Sequence, residues 1–308
     1  KAYESGQNSL ALQYFDQAIN LNPSYSKAYN NRGNIKLEMK DYNSAILDFD
    51  KALELDPNLV FPHYSRGKAQ YYMGKFPAAL AEFKKTLEVD SQNAQANYYS
   101  GIINFEMGNY PDAIKYYTMA ITIKPGFAYA YNDRGSAHRM SGELEEALTD
   151  YSKAIESDPK SDLAYNNRGS CNKQMNHLDA ALFDYSIAIK LKPDYYIYYN
   201  NSGSTRFAMD DFEGAVKDFT QAVEFNPKYA FAYNNRGYAY YKLKKYDLAI
   251  ADFDRAIAID PEYGVAYLNR GISKEMVRNL HGACEDWQKA ESFGVKNGKI
   301  YLEQECDR

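Results

Sequence analysis

Arginine recurs along this 308-residue chain at Arg32, Arg66, Arg134, Arg168, Arg236 and Arg270, each 34 or 68 residues from the next. A stripe of guanidinium groups at fixed spacing could hold phosphates or carboxylates, because the planar fork matches two oxygens at once. The sequence carries its own control. Sixteen residues after each of these arginines stands an acid: Asp48, Glu82, Asp150, Asp184, Asp252 and Asp286. Where Ser100 replaces the arginine, Tyr116 replaces the acid, and Ser202 with Asp218 breaks the correlation once. The pattern predicts intra-repeat ion pairs rather than a ligand site. Such pairs are costly to break by halves but are not strong stabilisers in themselves.

Other residues capable of chemistry do not converge. His63, His138, His177 and His281 lie far apart and lack the spacing of paired metal ligands on a helix. Contacts between helices are expected of His63 and His138 instead. The glycines of the repeating pattern come once per period, so no phosphate-cradling loop is expected. Acids are spread by the same period, and no nucleophile–base motif can be picked out. The chain is therefore expected to be non-enzymatic, with no metal, no other cofactor and no small-molecule substrate. A net charge of −5 argues against a nucleic-acid partner. No apolar run approaches the roughly 18 residues of a membrane span, so direct membrane insertion is not expected of this stretch.

The elements that would position these residues follow from the period. The hexapeptide AYNNRG occurs at 28–33, 164–169 and 232–237. Its glycine falls in a series at Gly33, Gly67, Gly101, Gly135, Gly169, Gly203, Gly237 and Gly271, every interval being 34. Twelve residues after each glycine stands an alanine, and sixteen after stands an aromatic: Phe49, Phe83, Tyr117, Tyr151, Tyr185, Phe219, Phe253 and Trp287. Pro57, Pro125, Pro159, Pro193, Pro227 and Pro261 close six units, and Pro23 closes a partial unit in front. Apolar positions within each half recur at three and four residues, the signature of a helix face. Small residues would let two antiparallel helices approach, the aromatic would fill the space beside them, and proline would stop the second helix.

This pattern resembles the tetratricopeptide repeat over essentially the whole chain. The resemblance implies an all-α, right-handed superhelical solenoid whose first helices line a concave inner face. A single solenoid over residues 1–308 is expected: a partial repeat at 1–25, eight repeats over 26–295 and a capping helix at 296–308. The opening residues match later units from partway through their first helix, which predicts a natural chain extending upstream.

The stripe left over from packing lies at offsets −6, −3, −2, +1, +4 and +5 from each glycine, one side of the first helix. In superhelical members of the family, asparagines at −2 form a ladder that binds an extended peptide backbone. Here the resemblance implies that role for Asn31, Asn167, Asn201, Asn235 and Asn269, with Asp133 in the same row. A carboxamide offers donor and acceptor to any peptide unit, and stacking is expected to do without it. Ser65 and Tyr99 interrupt the row. Around that gap Tyr64, Tyr71, Tyr72, Tyr98, Tyr99, Phe105 and Tyr129 share the stripe, and Phe207, Phe231, Tyr238 and Tyr241 accompany the later asparagines. Such aromatics are favoured anchors at interfaces, although some would pack between adjacent first helices. Scattered Lys27, Lys68, Lys173 and Lys242 do not rebuild the cationic clamp by which another sub-class grips a terminal carboxylate.

Cys171 falls on a first helix as a small packing residue. A helix, a turn near Gly294 and a returning helix would set Cys284 across from about residue 306, which points to a Cys284–Cys306 disulfide. Two unlinked cysteines packed as small apolar residues remain the alternative. The ending GACEDWQKAESFG with a late cysteine resembles the closing segment of bacterial envelope repeat proteins, where disulfides persist. The leading expectation is a scaffold for a protein or peptide partner, part of a larger complex in the periplasm or cell envelope of a Gram-negative bacterium. A cytoplasmic location, or a regulatory or substrate-selecting arm of an enzyme whose catalytic domain lies upstream, stands beside it.

Overall fold

A computed structural model of the chain describes residues 8–306. Residues 1–7 of the expected partial repeat and 307–308 of the expected cap lie outside the described residues. Every regular element among those described is helical, and the chain divides into two compact units, Lys1–Ser157 and Asp158–Arg308. The first unit holds α1 (Asn8–Leu21) and four hairpins: α2 (Ser26–Glu38) with α3 (Tyr42–Leu55), α4 (Phe61–Tyr72) with α5 (Phe76–Val89), α6 (Ala94–Glu106) with α7 (Tyr110–Ile123), and α8 (Ala128–Met140) with α9 (Leu144–Ser157). The second holds α10 (Asp162–Gln174) with α11 (Leu178–Leu191), α12 (Tyr196–Ala208) with α13 (Phe212–Phe225), α14 (Ala230–Lys242) with α15 (Tyr246–Ile259), and α16 (Gly264–Met276) with α17 (Leu280–Ser292). A closing helix, α18 (Lys296–Tyr301), follows them.

Each hairpin sets a glycine against an aromatic ring, in most of them closer than any Cβ would permit. A Cβ on Gly33 would lie 2.7 Å from the Phe49 ring, and one on Gly101 2.6 Å from Tyr117. Ala45, Ala79 and Ala113 are fully buried beside these rings, so each interior is small residue against large. The turns share one geometry. The residue seven after each glycine adopts positive φ: Gly74, Gly108 and Gly142, but also Lys40, Asn176, Asp210, Lys244 and Arg278. The next N–H then returns to the carbonyl five residues back, as from Asp41 to Lys36 at 2.9 Å and from His177 to Asn172 at 2.8 Å. That bond satisfies a carbonyl the helix end would otherwise leave open.

Between hairpins the second helix stops just before proline, as at Leu55 ahead of Pro57. Where Asp or Asn precedes it, that side chain accepts from the N–H two residues on, as Asp56 does from Asn58 and Asp260 from Glu262, both at 3.1 Å. This Asx turn reverses the chain. At the far end α18 packs on α17: Tyr301 stacks on buried Trp287 with ring centroids 4.9 Å apart, and Gly298 sits where a Cβ would meet the Trp287 carbonyl at 2.7 Å. Where one capping helix was expected, α18 has six residues and the chain continues as a π-helical turn, Leu302–Cys306. Cys306 ends that turn bonded to Cys284, with Cα atoms 6.0 Å apart.

Candidate interaction face

The arginines of the first helices join two partners at once. Arg236 donates through Nε and Nη2 to both Asp252 oxygens at 2.8 and 2.7 Å, and Arg134 binds Asp150 likewise at 2.8 and 2.6 Å. Arg32 with Asp48, Arg168 with Asp184 and Arg270 with Asp286 are also bidentate, whereas Arg66 reaches Glu82 through Nη2 alone, at 2.8 Å. The remaining Nη1 reaches back to the preceding repeat: Arg32 to Asp16 on α1, Arg66 to Asp50, Arg134 to Thr118, Arg236 to Thr220 and Arg270 to Asp254. Each of these guanidiniums therefore fastens one repeat to the one before. At the exception, Ser202 donates to Asp218 at 2.6 Å and Arg206, one helical turn on, donates to the same carboxylate at 3.0 Å. His63 binds Glu82 at 2.7 Å and His138 binds Glu143 at 2.6 Å, both contacts between helices or their turns.

The asparagine row has a task inside the second unit. Asn201 donates to Asn166 at 2.9 Å, Asn235 to Asn200 at 3.0 Å and Asn269 to Asn234 at 3.0 Å. Each bond links position −2 of one repeat to −3 of the one before. The carboxamides thus take part in stacking, contrary to the expectation that stacking does without them; Asn167 accepts from Asn166 at 3.3 Å.

In the first unit the same −3 to −2 link is written in other residues. Tyr98 donates its hydroxyl to Asp133 at 2.7 Å, and Tyr64 meets Tyr99 edge to face with centroids 6.2 Å apart. Burial pushes the Asp133 carboxyl above its ordinary value, partly offset by the hydrogen bonds from Tyr98 and Asn132. At the first junction the link is missing. Ser65 stands where a donor is needed, and the Oδ1 of Asn30 is buried without a hydrogen-bond partner.

Beside that gap, α2 and α4 flank an open cleft of about 720 Å³ lined by Asn30, Asn31, Phe61, Tyr64, Lys68 and Tyr72 among others. Phe61 is 74% exposed and Tyr72 49%. Tyr71, Tyr72 and Tyr99 form one connected group with Phe76 and Phe83, which Tyr98 joins through Tyr99 while also packing on Phe127 at 4.7 Å; Phe105 packs on Tyr110 at 5.6 Å. Tyr129 stays exposed. In the second unit Phe207 stacks on Tyr238, Tyr238 on Tyr241, and exposed Phe231 leans on Tyr263. The aromatic that opens five of the second helices (Tyr42, Phe76, Tyr110, Phe212, Tyr246) joins these groups, and the packing stripe had not revealed it.

Serial helix hairpins with a small-on-large interior and a solvent-facing first helix define a class of helical repeat protein. Models described as "Tetratricopeptide repeat" match residues 26–59, 64–128, 163–195 and 230–263, and one described as "TPR repeat" matches 136–176 and 203–244. Together they cover more than half of the chain, which belongs to the tetratricopeptide repeat family. A search of curated proteins gave no match. Among solved structures, the chain is similar to the Cut9–Hcn1 hetero-tetramer of the APC/C, with 17% identity and a TM-score of 0.63 over 96% of this chain and 58% of that one. It is also similar to YrrB, "a TPR protein with an unusual peptide-binding site", with 22% identity and a TM-score of 0.51 over 61% of this chain and 97% of that one. A structure of MamA gives 24% identity and a TM-score of 0.50 over 56% of this chain and 94% of that one. These likenesses show the fold.

Proposed function

We propose that the chain is a non-enzymatic scaffold that holds an extended peptide segment or a partner's helix against the first helices of its repeats. The observation that carries this reading is the first-helix face of the first unit, where exposed Phe61 and Tyr72 border a cleft with polar groups in its walls. Aromatic side chains give large contact area at low entropic cost, which suits an anchor for a partner. The peptide-binding description of YrrB points the same way by analogy of fold alone. The test is capture of the natural partner by the intact chain, followed by mass spectrometry. Phe61→Ala with Tyr72→Ala, or Phe231→Ala in the second unit, should weaken capture at unchanged helicity. Capture indifferent to all three would move binding off the first helices.

We place this scaffold in a bacterial envelope complex, on the strength of Cys284 and Cys306 meeting at the closing helix. Thiol counting on denatured protein purified without reductant should find one thiol, from Cys171. Three would remove the support for that location.

A further inference from the structure

The missing link at the first junction leaves unmet chemistry. In the second unit three consecutive −3 carboxamide oxygens each accept from the asparagine 35 residues on. Asn30 has the same carboxamide in the same position, but Ser65 is too short to supply the donor, and the Asn30 Oδ1 is buried with none. An unsatisfied buried acceptor carries a desolvation penalty, which a ligand N–H would relieve once the Asn30 carboxamide turns toward the cleft it lines.

A second unmet group faces the same cleft. The Lys68 ammonium lies 5.7 Å from the ring centroids of both Tyr64 and Tyr99, and no carboxylate among the described residues pairs with it. Lys36 and Lys274, on other first helices, bind Asp48 and Asp286 at 2.8 Å. Lys40 also lines the cleft, against a single acid, exposed Glu38. The lining is cationic on balance, with an apolar wall at Phe61 and Tyr72.

We propose that this cleft takes an extended acidic–apolar peptide segment of a partner protein. The apolar side chain lies on Phe61 and Tyr72, the adjacent side-chain carboxylate meets Lys68, and a backbone N–H satisfies Asn30. One acidic residue supplies both the carboxylate and a neighbouring N–H, which matches one ammonium and one orphan acceptor. The assignment rests on the peptide-scaffold reading and narrows it to a ligand chemistry and a position.

The test uses the intact chain and three fluorescent decapeptides in a Gly/Ser background, read by anisotropy. Two have blocked termini and central Phe-Glu or Phe-Gln; the third ends in Phe with a free carboxylate. The Phe-Glu peptide should bind about tenfold more tightly than Phe-Gln, as a charge-assisted contact allows. Lys68→Met should erase that difference at unchanged helicity. Ser65→Asn restores the donor found in the second unit, so it should raise Tm and weaken both blocked peptides. Equal binding of Phe-Glu and Phe-Gln, or absence of binding, overturns the proposal. Preference for the free-carboxylate peptide replaces the side-chain acid by a chain end and overturns it equally. If the peptides bind regardless of Lys68→Met and Ser65→Asn but respond to Phe231→Ala, this cleft fails while the broader scaffold reading stands.

Discussion

Asp133 stands where later repeats carry asparagine, and that exchange has a measurable sign. Its carboxyl is held above its ordinary value of 3.8, first by burial, so the folded state binds the proton more tightly than the unfolded one. The resulting stability is complete below pH 3.8 and is lost as pH rises through the folded-state value. Asp133→Asn removes this dependence, so its Tm advantage over the parent should be absent in acid and grow toward neutrality. The ion pairs make a second residue-scale case. The Asp252 side chain is 9% exposed, and Arg236→Met would leave it buried without its cation, at a cost of about 3–5 kcal/mol. Arg236→Met with Asp252→Leu should recover much of that loss, since an intact pair adds little over a packed apolar one. Additive losses in a denaturant-based double-mutant cycle would refute the coupling. The arginine–acid covariation at sixteen residues was legible because both partners sit in one hairpin. The second partner of Arg32, Arg66, Arg134, Arg236 and Arg270 was hidden, since it depends on how successive repeats align.

At the scale of elements, α18 is too short to hold itself in water. It is retained by Tyr301 on Trp287 and by Cys306. A cross-link spanning 22 residues of sequence stabilises by roughly 3 kcal/mol in the chain-entropy model. Reduction, or Cys306→Ser, should therefore lower the Tm of the second unit and raise hydrogen exchange over 296–306 before exchange rises in α16. The hairpins themselves could be read from sequence because glycine, alanine and a large ring recur at offsets that only close helix packing requires. The links between repeats could not. The eye finds an asparagine row, but not that Asn235 reaches back to Asn200, nor that Arg206 stands in for the arginine missing beside Ser202.

Taken whole, the chain carries 31 tyrosines, and their burial is uneven. Burial pushes Tyr64 and Tyr263 up to about 12, and Tyr98, Tyr99, Tyr117 and Tyr198 are also held above the ordinary value of 10.0. These groups favour folding fully below pH 10, and that contribution is lost as pH rises through their folded-state values. Absorbance of phenolate should rise in two phases, exposed rings first, with the second phase coinciding with loss of helical circular dichroism. One smooth phase with helicity intact would contradict the burial pattern. The eight positive-φ turns inside the hairpins lead in another direction. Three use glycine, while Lys40, Asn176, Asp210, Lys244 and Arg278 hold a conformation that disfavours a side chain. Lys40→Gly, Lys244→Gly and Arg278→Gly should each raise stability by about 1 kcal/mol in urea melts. The molecule thus has headroom distributed along its length: thermal tolerance could rise by single codon changes at hairpin tips, leaving the sequence of every helix untouched.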